Sequence, residues 1–130
     1  MVSVRSAKNK GSQFEMNCEA SLQQLFSDCY RTHERGYVSG FDLKSDKYKM
    51  AFECKRLKGM SWNQAKSYLD LLIKRSPEDY KAYLLFQSNR QPCLVMRYVI
   101  QEGQYTLLIT DFRDCFGIDF IKHLSTKMKV

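Results

Sequence analysis

The chain has 130 residues, a hydrophobic fraction of 44% and a net charge of +7, which suits one folded domain and excludes a disordered or low-complexity chain. The five cysteines form no Cys-x-x-Cys pair and lie at no zinc-ligand spacing from the two histidines. Both a secreted disulfide framework and a zinc site are therefore disfavoured. The basic balance favours a polyanionic partner, nucleic acid being the commonest.

The distribution of apolar residues predicts a protein with no membrane segment. No apolar run approaches about 20 residues, and the N-terminus lacks the apolar stretch of a secretory signal. We expect a cytoplasmic or otherwise intracellular protein, and an origin in a virus or plasmid is compatible with that. The whole chain, 1–130, is expected to be a single domain.

The first predicted elements are an arm and a helix. Residues 1–10 are short and basic and are predicted to be a flexible arm. Ser12 and Glu15 then fit a capping box, and we expect the helix that they open to end near Gly36. Apolar residues recur along it at spacings of three and four, which is typical of an amphipathic helix. This stripe comprises Phe14, Cys18, Leu22, Leu25, Phe26 and Cys29.

Two strands joined by a polar turn are predicted next. Residues 37–43 form the first strand and residues 48–55 the second, with residues 44–47 as the turn. In the second strand, large apolar side chains occupy alternate positions, the period that places one face of a strand on a core. A short hairpin is the simplest connection between them.

Helix-start signals recur in the middle of the chain. Ser61 and Gln64 form a second capping box, and the apolar residues behind it share one helical face. Pro77, with acidic residues beside it, predicts a third helix that extends to about Asn89. A second interpretation stays open here, because residues 83–86 could equally form a buried strand.

The last predicted elements are a hairpin and a tail. Pro92 breaks the chain, and residues 93–100 and 104–110 are rich in strand-forming residues. We expect them to form an antiparallel hairpin around Glu102 and Gly103. The tail, residues 111–130, is predicted to be irregular or helical.

The predicted hairpin between residues 37 and 55 brings charged residues together. Asp42 lies near the end of the first strand, and Glu53 and Lys55 close the second on one face, since they are two residues apart. Two carboxylates bind a hard cation such as Mg²⁺, and the main-chain carbonyl of Cys54 can be a further ligand. The lysine can orient or help to deprotonate an attacking water. The set therefore suits phosphodiester hydrolysis.

Each of these residues also has a plain structural interpretation. Asp42 taken alone is more typical of a residue beside a turn than of a metal ligand. Glu53 and Lys55 are also typical of an exposed strand face. The three together, with the hairpin and the basic charge, favour the catalytic interpretation.

Phe41-Asp42 followed by Glu53-Cys54-Lys55 resembles the motif of the PD-(D/E)XK nuclease superfamily, with Phe41 at the usual proline. The order of helix, hairpin, Glu-x-Lys and helix is similar to the αβββαβ core of that superfamily. The resemblance implies an α/β, restriction-endonuclease-like fold with a mixed central sheet flanked by helices. It also implies an endodeoxyribonuclease that uses Mg²⁺, for which Mn²⁺ can substitute.

Two further positions extend the resemblance. Glu15 lies on the first predicted helix, where superfamily members commonly carry a third metal-binding carboxylate; the alternative is that it only caps that helix. Gln64 with Tyr68 one turn later is similar to the Gln-x-x-x-Tyr element of RecB-like nucleases. The alternative there is a capping glutamine and a core tyrosine.

Residues 10–15 and 91–98, with the Asp and Glu-x-Lys elements between them, look like archaeal-type Holliday junction resolvases. That resemblance implies a structure-selective homodimer that cuts two strands of branched or duplex DNA. Two alternatives stay open: a VRR-type or other phage or repair nuclease, and a non-catalytic nucleic-acid-binding module on the same fold.

Several basic residues are candidates for contacts with backbone phosphates. They lie in the arm, near the end of the first predicted helix and just beyond the Glu-x-Lys element; in each place the alternative is a solvated or frayed surface. The candidates are Lys8, Lys10, Arg31, Arg35, Arg56 and Lys58.

Overall fold

The computed structural model describes residues 4–32, 41–59, 61–88 and 90–122, with side chains of the first helix from Gln13 onward. It is a mixed α/β structure in which helices flank a six-stranded sheet. The helices are α1 (Val4–Gln23), α2 (Trp62–Arg75) and α3 (Phe112–Phe116). The strands are β1 (Tyr30–Arg31), β2 (Leu43–Ser45), β3 (Met50–Arg56), β4 (Lys81–Gln87), β5 (Leu94–Gln101) and β6 (Gln104–Asp111).

The strands lie in the sheet in chain order, β1-β2-β3-β4-β5-β6. All neighbouring pairs are antiparallel except β3 and β4, which are parallel. A parallel pair needs a long crossover, and α2 supplies it by running between the end of β3 and the start of β4. The α/β mixed sheet flanked by helices predicted from the sequence is confirmed.

A core lies on each side of the sheet. Phe52 and its neighbours at alternate positions of β3 pack beneath α1 and α3, whereas Ala51 packs beneath α2. The buried residues on the α1 side are Phe14, Cys18, Leu22, Cys29, Leu43, Met50, Phe52, Leu85, Cys93, Val95 and Phe112. Those on the α2 side are Ala51, Leu57, Ala65, Leu69, Leu72, Leu84, Phe86 and Met96.

The predicted bounds of the first helix are wrong at both ends. The helix α1 begins at Val4, so residues 4–10 of the predicted flexible arm are helical. It ends at Gln23, and β1 lies in the segment that was predicted to continue the helix to Gly36. The spacing of apolar residues wrongly predicted helix beyond Gln23, because Phe26 packs on Phe52 from the loop after the helix.

The β2–β3 hairpin is confirmed, with shifted ends. The strand β2 begins at Leu43, and Lys44 and Ser45, which were predicted to lie in the turn, belong to it. Ser45 is held there because its hydroxyl donates to Asp28 Oδ1 at 2.6 Å. Residues 37–40 of the predicted first strand lie outside the described residues.

The helix predicted from Pro77 to Asn89 is wrong, and the alternative of a buried strand is confirmed. The segment forms β4, in which Leu84, Leu85 and Phe86 are fully buried. Consecutive residues can all be buried in a strand that is covered on both faces, which the cores on the two sides of the sheet provide. Burial on both faces therefore overrides the helix-start signal at Pro77.

The remaining predicted helices and strands agree with the structure within the described residues. The hydroxyl of Ser61 accepts from the Gln64 N–H at the start of α2, as the capping box predicts. Strands β5 and β6 form the expected hairpin, and Glu102 and Gly103 have φ of 51° and 76°, the conformation of a tight primed turn. The tail contains α3 and then no regular element as far as Lys122.

No helix in the described part of the chain is long and apolar enough to cross a membrane.

Candidate active site

Asp42 lies where the β2–β3 ladder ends. The last paired residues are Leu43 and Phe52, and the Asp42 N–H donates to the Phe52 carbonyl at 3.1 Å. The Asp42 carboxylate reaches along β3 and accepts the N–H of Cys54 at 2.8 Å through Oδ2. This bond holds Asp42 against the Glu53-Cys54-Lys55 segment.

Thr32 supports Asp42 from the other side, a contact that the sequence analysis missed. The Thr32 N–H donates to the Asp42 carbonyl at 2.9 Å, and its hydroxyl donates to the Phe41 carbonyl at 2.7 Å. Thr32 is buried beside β1. No local pattern marks it, because its role depends on β1 lying next to β2.

Glu53 is the most perturbed carboxyl of the site. Its side chain is only 13% exposed. Burial raises its pKa most, and the charge of Asp42 and a side-chain hydrogen bond with Asp42 raise it further. Lys55 lowers it, and the result is a pKa of about 7. At neutral pH the Glu53 carboxyl therefore holds a proton for part of the time.

Lys55 lies between Glu53 and α2. Its Nζ is 3.5 Å from Glu53 Oε1 and 4.8 Å from the centre of the Tyr68 ring. Gln64 Nε2 in turn lies 3.3 Å from the Tyr68 hydroxyl. An ammonium over an aromatic face is attracted by it, so α2 helps to hold Lys55 beside the carboxylate. The structure thus brings together Asp42, Glu53 and Lys55, whereas Gln64 contacts Tyr68 and not these three residues directly.

Glu15 lies on the first helix, as predicted, but not at its start. It lies well inside α1, which begins at Val4, so the alternative that it is the N3 residue of a capping box is wrong. Its Oε1 is 3.0 Å from Arg31 Nε, and both side chains are largely buried. Its charge also raises the pKa of the Cys54 thiol, which places Glu15 near β3 on the α1 side. A third metal ligand at Glu15 stays a prediction.

Arg31 does not lie on the exposed helix end from which it was predicted to contact DNA. It belongs to β1, is buried, and pairs with Glu15. Its N–H also donates to Glu19 Oε2 at 2.8 Å. Both contacts hold the short β1 against α1, and neither follows from a pattern in the sequence, because the partners are far apart in the chain.

Cys54 points away from the carboxylates, as the alternation along β3 predicts. Its side chain packs against the core on the α1 side, and burial raises the pKa of its thiol to about 11. A thiol in that state is not a ligand for a hard cation. The atom that Cys54 can offer to a metal is therefore its main-chain carbonyl.

The donor set fits Mg²⁺ in chemical type. In the described ranges no three His, Cys, Asp or Glu side chains form a metal-binding group. The Asp42–Glu53 pair and the Cys54 carbonyl are all oxygen donors. Mg²⁺ is commonly held by one or two carboxylates with waters completing its coordination, which is the type of donor present here.

The other predicted phosphate-binding residues are spread along the chain. Arg56, at the end of β3, donates through Nη1 to Gln87 Oε1 at 2.8 Å, and Lys58 just beyond it is exposed. Arg35 lies outside the described residues, as do the side chains of Lys8 and Lys10. Arg56 and Lys58 are thus the candidates that directly follow the Glu53-Cys54-Lys55 segment in the chain, although alternation along β3 places the Arg56 side chain on the opposite face from Glu53.

A scan of the chain against protein-family models finds no match. Searches of the curated proteins and of the solved structures find no match either. The case for a function therefore rests on the fold and the geometry of this chain.

Proposed function

We propose that this protein is a Mg²⁺-dependent DNA endonuclease, with Mn²⁺ able to substitute, and that it is a structure-selective, resolvase-type enzyme acting as a homodimer. The observation that carries the proposal is the hydrogen bond between the Asp42 and Glu53 carboxyl groups, with the Lys55 ammonium 3.5 Å from Glu53. Two adjacent carboxyl groups beside a lysine suit metal-dependent phosphodiester hydrolysis.

Each residue of the site has a proposed role that follows from its chemical type. Asp42, Glu53 and the Cys54 carbonyl would hold the cation, which when bound supplies positive charge to the phosphate undergoing hydrolysis. Glu53 must lose its proton to be a full ligand, so its pKa of about 7 ties cation binding to pH. The Lys55 side chain lies beside Glu53, where it would orient the attacking water and neutralise phosphate. Tyr68 limits the positions that Lys55 can take.

The connectivity supports the finer assignment to a restriction-endonuclease-like core. A helix, an antiparallel three-stranded meander, a crossover helix and a strand parallel to the third occur in that order from α1 to β4. This is the αβββαβ order of the superfamily that the Asp42 and Glu53-Cys54-Lys55 motif resembles. Fold alone does not fix activity, so the site residues decide the case.

The test is a cleavage assay on the whole chain. Labelled four-way junctions, forks, linear duplex and single strands are incubated with the protein in Mg²⁺, in Mn²⁺ or in EDTA. We expect metal-dependent cutting that is fastest on four-way junctions and falls at least 100-fold in Asp42→Asn and in Glu53→Gln. Glu78→Gln, an exposed carboxyl on the loop before β4, is the matched control and should cut at the wild-type rate.

The outcomes separate the proposal from its alternatives. Cutting in EDTA, or unimpaired cutting by Glu53→Gln, overturns the mechanism. Preference for forks or flaps over four-way junctions favours a VRR-type or other repair nuclease. Tight DNA binding without cutting in either metal favours the non-catalytic module. DNA affinity should in each case fall steeply with salt.

A further inference from the structure

The outer edge of β6 is the most unusual surface of the sheet. The strand runs from Gln104 to Asp111, and all eight residues pair with β5 in one continuous register. No described strand pairs with its other edge. An edge strand of this length presents a row of main-chain N–H and C=O groups that can pair with another chain.

The usual features that protect a sheet edge are missing from this strand. Residues 104–110 contain no charged residue and no proline, and the uninterrupted register leaves no bulge. The opposite edge differs, because β1 has only two residues and its Arg31 pairs with Glu15 of α1. Long, flat, uncharged edges are expected to be covered by a partner.

The turn fixes which groups point outward. Gln101 and Gln104 close a two-residue hairpin, so they exchange main-chain hydrogen bonds with each other. Because orientation alternates along a strand, the N–H and C=O groups of Tyr105, Leu107 and Ile109 point away from β5. Their side chains lie on the α2 face of the sheet, where Leu107 and Ile109 pack against the core and Tyr105 is 77% exposed.

We propose that the edge of β6 pairs antiparallel with β6 of a second copy of this chain, which joins the two sheets across a two-fold axis at Leu107. Leu107 is the midpoint of the uncharged run 104–110, so this register alone overlaps the run with itself from end to end. Tyr105 then faces Ile109 of the partner subunit, and Leu107 faces Leu107 of the partner subunit. The outward main-chain groups meet each other, and apolar side chains meet on the α2 face.

A second copy suits this edge better than an unrelated segment because the edge is self-complementary. A two-fold axis brings each residue opposite a residue of the same strand, so a run of like charges would repel itself, and residues 104–110 carry no charge. Asp111, the first charged residue past the run, comes opposite Gly103, which has no side chain. Exposed Ile100, 68% accessible beside Tyr105, adds apolar surface at the same place.

This inference rests on the homodimer of the proposed function but not on its chemistry. Sedimentation equilibrium of the reduced, DNA-free and metal-free protein measures the mass of the species in solution. The wild type should be a dimer. Leu107→Lys and Leu107→Glu should each be monomers, because each places like charges face to face at the axis. Mixing these two variants in equal amounts should restore a dimer, which no other register predicts.

Controls separate loss of pairing from loss of folding. Leu71→Lys and Leu71→Glu make the same changes at a leucine that is 40% exposed on α2, and both should stay dimeric. Far-UV circular dichroism checks that the Leu107 variants are folded. If they are not, Tyr105→Pro replaces them: it removes one outward N–H at an exposed side chain, and Tyr105→Thr, which keeps the N–H, is its control.

A monomeric wild type at about 100 µM overturns the proposal, as does a Leu107→Lys variant that is folded and still dimeric. Two folded monomeric Leu107 variants that fail to form a dimer when mixed overturn the register at Leu107. A monomer that cuts DNA would overturn this interface while leaving the proposed chemistry intact, so the two failures are distinguishable.

Discussion

The two faces of β3 are made by alternate residues of one seven-residue strand, yet they have opposite characters. On the α1 face, Phe52 is fully buried, and Cys54 packs on the same core. On the α2 face, Ala51 is buried, whereas Glu53 and Lys55 are charged and partly exposed. The difference arises because α1 and α3 cover one face along its length, while α2 leaves the end of the other open. The Glu53 carboxyl lies where the cover of α2 ends. It is largely removed from water but keeps some exposure, and this burial raises its pKa.

The largest effect is expected on the covered face. Phe52→Ala should lower the free energy of unfolding by about 3–5 kcal/mol, because the ring is fully buried and contacts Phe26 and Tyr83. Urea denaturation at pH 7 measures the change. A loss below about 1 kcal/mol would mean that this face is not the packed core described above.

On the open face, the titration of Glu53 should have the largest effect on how the free energy of unfolding depends on pH. Its pKa is higher in the folded protein than the ordinary value of 4.5, so the native state holds a proton that the unfolded chain has released. The contribution of Glu53 to stability is therefore fully present below about pH 4.5 and is lost as the pH rises to about 7. In the wild type this loss should reach on the order of 2 kcal/mol by pH 8, and Glu53→Gln should not show it.

Denaturation of wild type and Glu53→Gln at several pH values between 4 and 8 tests this difference. Glu78→Gln, which changes an exposed carboxyl, should follow the wild-type curve. Parallel curves for wild type and Glu53→Gln would contradict the desolvated Asp42–Glu53 pair.

Mg²⁺ should stabilise the folded protein through the carboxyl groups on the open face. A cation held by Asp42 and Glu53 in the folded state stabilises that state by about 1.4 kcal/mol at ten times its dissociation constant. The stabilisation should be larger at pH 8 than at pH 6, because Glu53 must be deprotonated. Thermal unfolding with and without Mg²⁺ measures it. An equal gain in Asp42→Asn would place the cation elsewhere.

The smallest effect concerns the helix that bounds the open face. Ser61→Ala removes the side-chain cap of α2 and should cost about 1 kcal/mol or less, since the hydroxyl lies 3.4 Å from the Gln64 N–H. Urea denaturation measures this cost, and Ser67→Ala, an exposed serine inside the same helix, is the control. A larger loss in the control would show that the cap does not secure α2.

Local chemistry explains which elements could be predicted. The Ser61 cap with its apolar stripe, and the Glu102-Gly103 turn between strand-forming runs, act within a few residues, and both elements have the predicted type. The segment after Pro77 has an equally local helix signal and is a strand nevertheless, because β4 is inserted between β3 and β5. Its parallel neighbour β3 is distant in the chain, and α2 lies between the two strands.

The site divides in the same way. The spacing of Asp42, Glu53 and Lys55 predicts their approach, since a hairpin joins them and alternation places the last two on one face. The pairing of Glu15 with Arg31 and the support of Asp42 by Thr32 were not predictable. Both depend on where β1 lies against α1 and β2, which no short pattern encodes.

The sequence by itself therefore determined the hairpins, α2 and the proximity of Asp42, Glu53 and Lys55, because each follows from contacts within a short stretch of chain. The α/β class with a mixed sheet was expected from the resemblance of the motif. Only the tertiary structure decided that β4 is a strand, that Arg31 is buried against Glu15 and that the Glu53 carboxyl has a pKa of about 7. Those features depend on burial and on neighbours distant in sequence, and desolvation exists only once the two faces of the sheet are covered.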